Sequence, residues 1–422
     1  MPRTTFLEDS GPRAPILPQR AASLSVAFVA LSGCTSEPHT QGVGVVLPDG
    51  ECGHGLVVLS SDYQASTVSV LDFDGGIASA SILTSASAPV GLSAALSGDV
   101  VVPTSRTPGR IVVVDRNPAA VVTWLAPETA TVAGQLSLTP GTNPHDYIDV
   151  ATGKAYVSRY DVAKNIEGTS APGGDIAVLD SITFSITGRI DVASNLSGLP
   201  PDLFPHPGRM LASNGFVFAV ISIYSQNYVK SGTDVVIKID PNTDEVVGIL
   251  PLSGLSGCTG FARAPDSSLL AVSCSGAFNG ASDPDLASAG IGLVDVGSFS
   301  VLRIIPASAL NGQALGFSLD FAGDTTLLVP TTGSLETDVP DRLLAVDIKT
   351  DTFETVATSD EAFEFGEVRC LPACGACFLA NGSKAQPSVF RFAVDSASSV
   401  AAAVRIDKPD GVGLPPRSLG VY

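Results

Sequence analysis

A short β-rich run closing on aspartate recurs seven times: TVSVLD (Asp72), RIVVVD (Asp115), DIAVLD (Asp180), DVVIKID (Asp240), GIGLVD (Asp295), RLLAVD (Asp347) and VFRFAVD (Asp395). The intervals are 43, 65, 60, 55, 52 and 48 residues, a spacing that belongs to repeat architectures. An apolar segment precedes each run, as in KAYVSRY, FVFAVIS, LLAVSC, TLLVPT or CFLANG. A turn and a further strand follow it, as in EVVGILPL after DPNTD. Upstream of both lies a fourth segment, GFARA or GFSLDF, closed by a turn signal such as PDSS or AGD. Runs of this kind, bounded by Gly, Pro, Asn and Asp and free of helical periodicity, read as strands.

Four strands per unit and seven units predict an all-β chain, a seven-bladed β-propeller with four-stranded blades. The size demands such a division, because 422 residues exceed the roughly 250–300 at which one core stops growing. With 45% hydrophobic and 15% charged residues, burial must nonetheless be extensive. The first unit lacks an innermost strand, and RSLGVY (Arg417 to Tyr422) is spare at the C-terminus. Pairing it with GLVVLS (Gly55 to Ser60) closes the ring and removes the exposed sheet edges. Two stacked β-sandwiches are the competing arrangement.

The order strand, variable loop, VxVxD, turn, strand resembles the bacterial YVTN-type seven-bladed propellers, including secreted lactonase-like members, over Gly55 to Tyr422. KAYVSRY, with Ala155, Tyr156, Val157 and Ser158, comes nearest to the motif that names the family. The resemblance implies the fold and leaves the activity open, since propellers host binding modules and unrelated enzymes alike.

The N-terminus carries a different signal. Ala21 to Gly33 is an uncharged stretch of 13 residues behind Arg20, the layout of a secretory leader and too short for a membrane helix of roughly 20. Leu31, Ser32, Gly33 and Cys34 resemble a bacterial lipobox, which implies cleavage before Cys34 and its acylation. An ordinary signal peptide is the alternative. The expected division is a leader over 1–33, an acylated Cys34 and flexible tether over 34–50, and the propeller over 51–422. The chain's formal charge of −19 becomes −20 without the leader, which repels nucleic acid and anionic head groups. Attachment to the membrane therefore falls to the lipid, and the expected location is the cell envelope, at the outer membrane.

Six further cysteines in an exported chain favour disulfides. Cys258 and Cys274 flank a turn centred on Asp266, and Cys370 faces Cys377 across LPACGA, so each pair stands opposite in an antiparallel hairpin. Cys374 is then left for Cys52, joining the blades that meet at the closure. The rival readings are a redox CxxC or a zinc site at Cys370, Cys374 and Cys377. Phe378 stands where a haem-attachment motif needs histidine.

Other chemistry is sparse. No G-x-S-x-G, H-E-x-x-H, P-loop or dinucleotide fingerprint occurs. DFDGG (Asp72 to Gly76) could open a calcium loop but lacks the downstream ligands, and an Asp-Gly hairpin turn explains it. No cofactor is expected, calcium being the one candidate.

The placement of long loops is not random. DVAKNIEGTSAPGG, SQNYVKSGT, SGAFNGASDPDLASA and GSLETDVPD link second to third strands in units three to six, so all rise on the face that carries the blade-to-blade connections. Two of those connections bear histidines, GTNPHDY (His145) and PPDLFPHPGR (His206). With Asp146, Arg209, Glu367 and Arg417 they fall near the channel rim, and Tyr160 and Tyr224 end strands on that face. Solvated loop residues are the plainer reading, but a polar ring at a channel mouth is also where ligands bind. The expected function is a monomeric, lipid-anchored module binding an envelope protein or glycan. A metal-dependent hydrolase or lactonase-like enzyme at the channel mouth is the alternative.

Overall fold

The computed structural model describes residues 44–47, 52–163, 173–281, 283–395 and 398–422. The leader, Cys34 and most of the tether lie outside the described residues, as do residues 164–172 of the long loop in the third unit. Among the described residues, no helix is long and apolar enough to cross a membrane.

The chain folds into seven antiparallel blades, each starting at the channel and ending at the rim. Blade 3 is representative: Pro144–Ala151, Lys154–Arg159, Asp175–Asp180 and Ser185–Ile190. Blade 4 follows with Phe204–Ser213, Phe216–Tyr224, Val235–Asp240 and Glu245–Pro251. The ring closes as expected. Pro416–Val421 is the innermost strand of blade 1, with Leu56 opposite Val421 and Val58 opposite Leu419.

Apolar residues of adjacent blades interdigitate in seven clusters among the described residues, one at every blade interface. Repetition thus supplies many small cores where one large core could not form. Second strands are sandwiched on both faces; Leu56–Ser61 is buried throughout. Outermost strands are the least buried, and Glu245–Pro251 alternates between exposed and half-buried residues because only one of its faces is covered.

The recurrent aspartate has a local cause. At the turn into the outermost strand its carboxylate accepts backbone N–H groups, Asp180 Oδ1 from Ile182 (2.8 Å) and Thr183 (2.9 Å), Asp347 from Lys349 (2.8 Å) and Asp240 from Asn242 (2.9 Å). Four residues on, a left-handed residue completes the turn: Phe184, Asp244, Phe299 and Asp351.

Asp115 is the exception and corrects the expected register of unit two. Its run, Ile111–Asp115, is the second strand of blade 2, between Val100–Val101 and Val121–Ala126. Asp115 instead holds the start of its own blade, accepting Ser97 N (2.7 Å) and Ser97 Oγ (2.6 Å). Ala126 takes the usual aspartate position, with Ala130 four residues later in the left-handed region. The uneven intervals of 43 and 65 residues carried this signal, since an aspartate at 126 would make both 54.

Three disulfides form the expected pairs. Cys258–Cys274 and Cys370–Cys377 join register partners, with Cα separations of 3.8 and 4.0 Å. Cys52–Cys374 links blade 7 to the segment entering blade 1, at 6.1 Å.

Candidate functional site

The upper face, which carries the blade-to-blade connections, is where the long loops rise. Over blades 3 and 4 their ends converge. Tyr160 directly follows the second strand of blade 3, Tyr224 ends that of blade 4, and His145 and His206 lie early in the two innermost strands. The structure brings these four together. His145 stacks on Tyr160 at 4.0 Å between centroids, Tyr160 meets His206 at 4.7 Å, and His206 meets Tyr224 at 6.2 Å. Tyr228 joins the cluster at 5.2 Å from His206.

His206 is not the exposed loop-end residue that its sequence position suggests. It is 3% exposed, and neither ring nitrogen has a hydrogen-bond partner. Its Nδ1 lies 3.5 Å from Asp161 Oδ1, a contact too loose to count as a hydrogen bond. Burial, with Arg116 and Arg209 adding to it, holds the His145 imidazole well below its ordinary pKa, so His145 is neutral near pH 7.

Asp161 organises the cluster. Asn143 Nδ2 donates to its Oδ2 at 2.9 Å, and the Tyr228 hydroxyl donates to Oδ1. Burial opposes ionisation, but contacts from His206, Tyr228 and Asn143 outweigh it and hold the carboxyl below its usual value. Burial and the neighbouring Asp161 push the Tyr228 phenol well above its own, so it stays a donor. A pocket of about 360 Å³ opens beside this group, lined by Pro140, Gly141, Asp161, Val162, Phe204, His206, Gln226 and Tyr228.

The other expected residues lie elsewhere. Asp146 is fully buried and braces three blades, accepting Thr104 N (2.9 Å) from blade 2, its neighbour Tyr147 N (2.9 Å), and Met210 N (2.8 Å) from blade 4. Arg209 pairs across the channel with Glu367 of blade 7 and contacts Thr104 Oγ1 at 3.2 Å. Burial pushes the Arg209 guanidinium down to about 10, still charged at neutral pH. Glu367 also accepts Ser418 Oγ (2.7 Å) and Leu419 N (2.9 Å). Arg417 sits apart at the closure, donating to Ser61 O at 3.3 Å and lying 5.2 Å from the Tyr63 ring centroid.

These side chains are thus committed to partners within the fold, Arg209 and Glu367 to each other. Asp320 and Arg369, which sequence reasoning passed over, add a pair at 3.7 Å. Among the described residues, no group of three His, Cys, Asp or Glu side chains is placed to hold a metal ion. Asp161, Asn143, Phe204, Gln226 and Tyr228 were also missed. Two of the long loops contain Asp161, Gln226 and Tyr228, but their sequences do not show which side chains turn inward.

No protein-family model matches the chain, and no curated protein does. Solved structures do match in fold. A periplasmic gluconolactonase from Pseudomonas aeruginosa is 17% identical with a TM-score of 0.55, covering 86% of this chain and 98% of that one. A candidate 6-phosphogluconolactonase from Bacteroides uniformis is 12% identical at 0.56, covering 86% and 98%. Kuenenia stuttgartiensis hydrazine synthase is 12% identical at 0.52, covering 74% and 80%. Such different activities on one architecture show the fold alone.

Proposed function

We propose that this protein is a lipid-anchored, YVTN-type propeller of the cell envelope that binds a ligand with the upper face over blades 3 and 4. The observation that carries this reading is the pocket beside Asp161 and Tyr228, where loops of two blades deliver an ionised carboxylate, aromatic faces and an amide to one concavity. The tether supports it. Val45 N donates to Pro127 O (2.6 Å), and the Leu47 carbonyl lies 3.0 Å from His54 Nδ1, so the described start of the tether lies on the lower face. Cys52–Cys374 pins the chain there as well. The described part of the tether thus joins the propeller on the face opposite the pocket.

Cys34→Ala should abolish incorporation of labelled fatty acid and shift the protein out of the membrane fraction; continued labelling would refute the anchor. The Cys34→Ala protein should sediment with purified envelope polysaccharide. Tyr228→Ala should weaken this, and Ile182→Ala, at a site 68% exposed on the lower face, should not. Equal losses from both variants would refute the assignment of the face.

A second reading has one observation behind it. Asp161 beside His206 is a carboxylate–imidazole pair of the kind used in general base catalysis of ester or lactone hydrolysis. It would also need donors for the developing negative charge, and the described pocket lining contains no Lys or Arg. Turnover of gluconolactone that His206→Phe abolishes would favour the hydrolase.

A further inference from the structure

We infer that the pocket over blades 3 and 4 takes a neutral, polyhydroxylated ring, a single saccharide unit, with Asp161 as acceptor, Tyr228 as platform and Gln226 as a further polar contact. The inference rests on reading the upper face as a binding surface and names the ligand's chemistry. At about 360 Å³ the pocket stands at the small end of the roughly 300–1,000 Å³ typical of small-molecule sites, which suits one ring.

Each wall narrows the chemistry. An ionised carboxylate offers about four lone-pair sites. Asn143 and Tyr228 occupy two, and Asp161 is 31% exposed, so capacity remains for ligand hydroxyls. Tyr228 is 38% exposed and Phe204 partly so, giving aromatic surface against which the C–H face of a sugar ring can lie. No Lys or Arg lines the pocket among the described residues, and Asp161 repels anions, so a phosphorylated or carboxylated ligand has no partner there. His206 closes the pocket from behind with both ring nitrogens buried, so it serves as a wall and the ligand's hydrogen bonds fall to Asp161 and Gln226.

Isothermal titration of the full-length protein with glucose, N-acetylglucosamine, glucose 6-phosphate and choline tests this. The expected result is saturable, one-site binding of a neutral sugar, weakened at least about tenfold by Asp161→Asn and by Tyr228→Ala, about 1.4 kcal/mol. Glucose 6-phosphate should bind more weakly than glucose. Tyr228→Ala removes a partly exposed loop side chain, so an unchanged melting temperature certifies its fold. Tighter binding of the phosphate ester or of choline, unchanged affinity in Asp161→Asn, or no binding of either neutral sugar would each overturn the inference. If polysaccharide sedimentation persists and remains sensitive to Tyr228→Ala while both neutral sugars fail to bind, the ligand class falls and the upper-face reading stands. If a free sugar binds the pocket but no polysaccharide sediments, the ligand class and the upper-face site stand and envelope polysaccharide falls as the partner.

Discussion

His145 shows how a residue's environment turns into a measurable pH dependence. Its folded-state pKa is depressed, mainly by burial, while in the unfolded chain it titrates near 6.5. As pH falls through 6.5, the unfolded state takes up a proton that the folded state refuses, so stability present above that pH is lost below it, by up to about 1.4 kcal/mol per pH unit. His145→Phe keeps a ring against Tyr160 but cannot be protonated. Relative to the parent, the variant should gain stability progressively from pH 7 to pH 5 in urea unfolding. A difference independent of pH would mean that His145 ionises freely in the fold. At the same scale, Asp146 and Glu367 look like ligand-binding groups by residue type, yet the geometry assigns them to bracing blades. A carboxylate's chemistry is legible in sequence, but the identity of its donors is not.

Among elements, the hairpin joining the two outer strands does more than turn the chain. Its left-handed residue reaches back onto the preceding blade: Phe184 lies 4.9 Å from Trp124, Phe299 lies 5.7 Å from Phe218, and Asp351 pairs with Arg303 at 2.7 Å. The outer strands make room for it. At Gly134 a Cβ would stand 2.3 Å from Phe184 Cδ2, and at Gly248 it would stand 2.8 Å from Phe299 Cε1. Gly134→Ala should therefore destabilise by about 1–3 kcal/mol through overpacking. In a double-mutant cycle with Phe184→Ala, much of that loss should disappear, because the clashing ring is gone. Additive losses would place the cost in the backbone at Gly134. Elsewhere an element is broken for a visible reason. The innermost strand of blade 6 is split into Ala314–Leu315 and Asp320–Phe321. Gly316 N donates to Pro330 O (2.7 Å), but Pro330 has no N–H with which to return the bond.

For the whole molecule, closure is the decisive event. Pro416–Val421 lies beside Leu56–Ser61, more than 350 residues away in sequence, and Arg369 reaches Leu419 O across the seam at 3.2 Å. Deleting residues 416–422 removes the inner strand of blade 1 and reopens an edge, so the midpoint of thermal unfolding should fall by much more than trimming an ordinary tail would cause. An unchanged midpoint would show that six remaining complete blades and one incomplete blade are equally stable. Reduction of Cys52–Cys374 acts on the same seam and should lower the midpoint in the full chain while sparing the deletion variant.

Strand type, blade number, the closing strand, the disulfide partners and the face on which long loops rise follow from the sequence by itself. Each depends on alternation within a few residues, on turn chemistry, or on counting repeats. Tertiary structure decided the rest. It fixed Asp115 at the end of a second strand, a register that the uneven repeat intervals signal but the apolar alternation of the run does not. It joined Arg209 to Glu367, 158 residues apart, as an ion pair across the channel. It also turned Asp161 and Tyr228, 67 residues apart, into one wall of a pocket. Such pairings depend on how blades are packed around the ring, and no local pattern along the chain encodes that geometry.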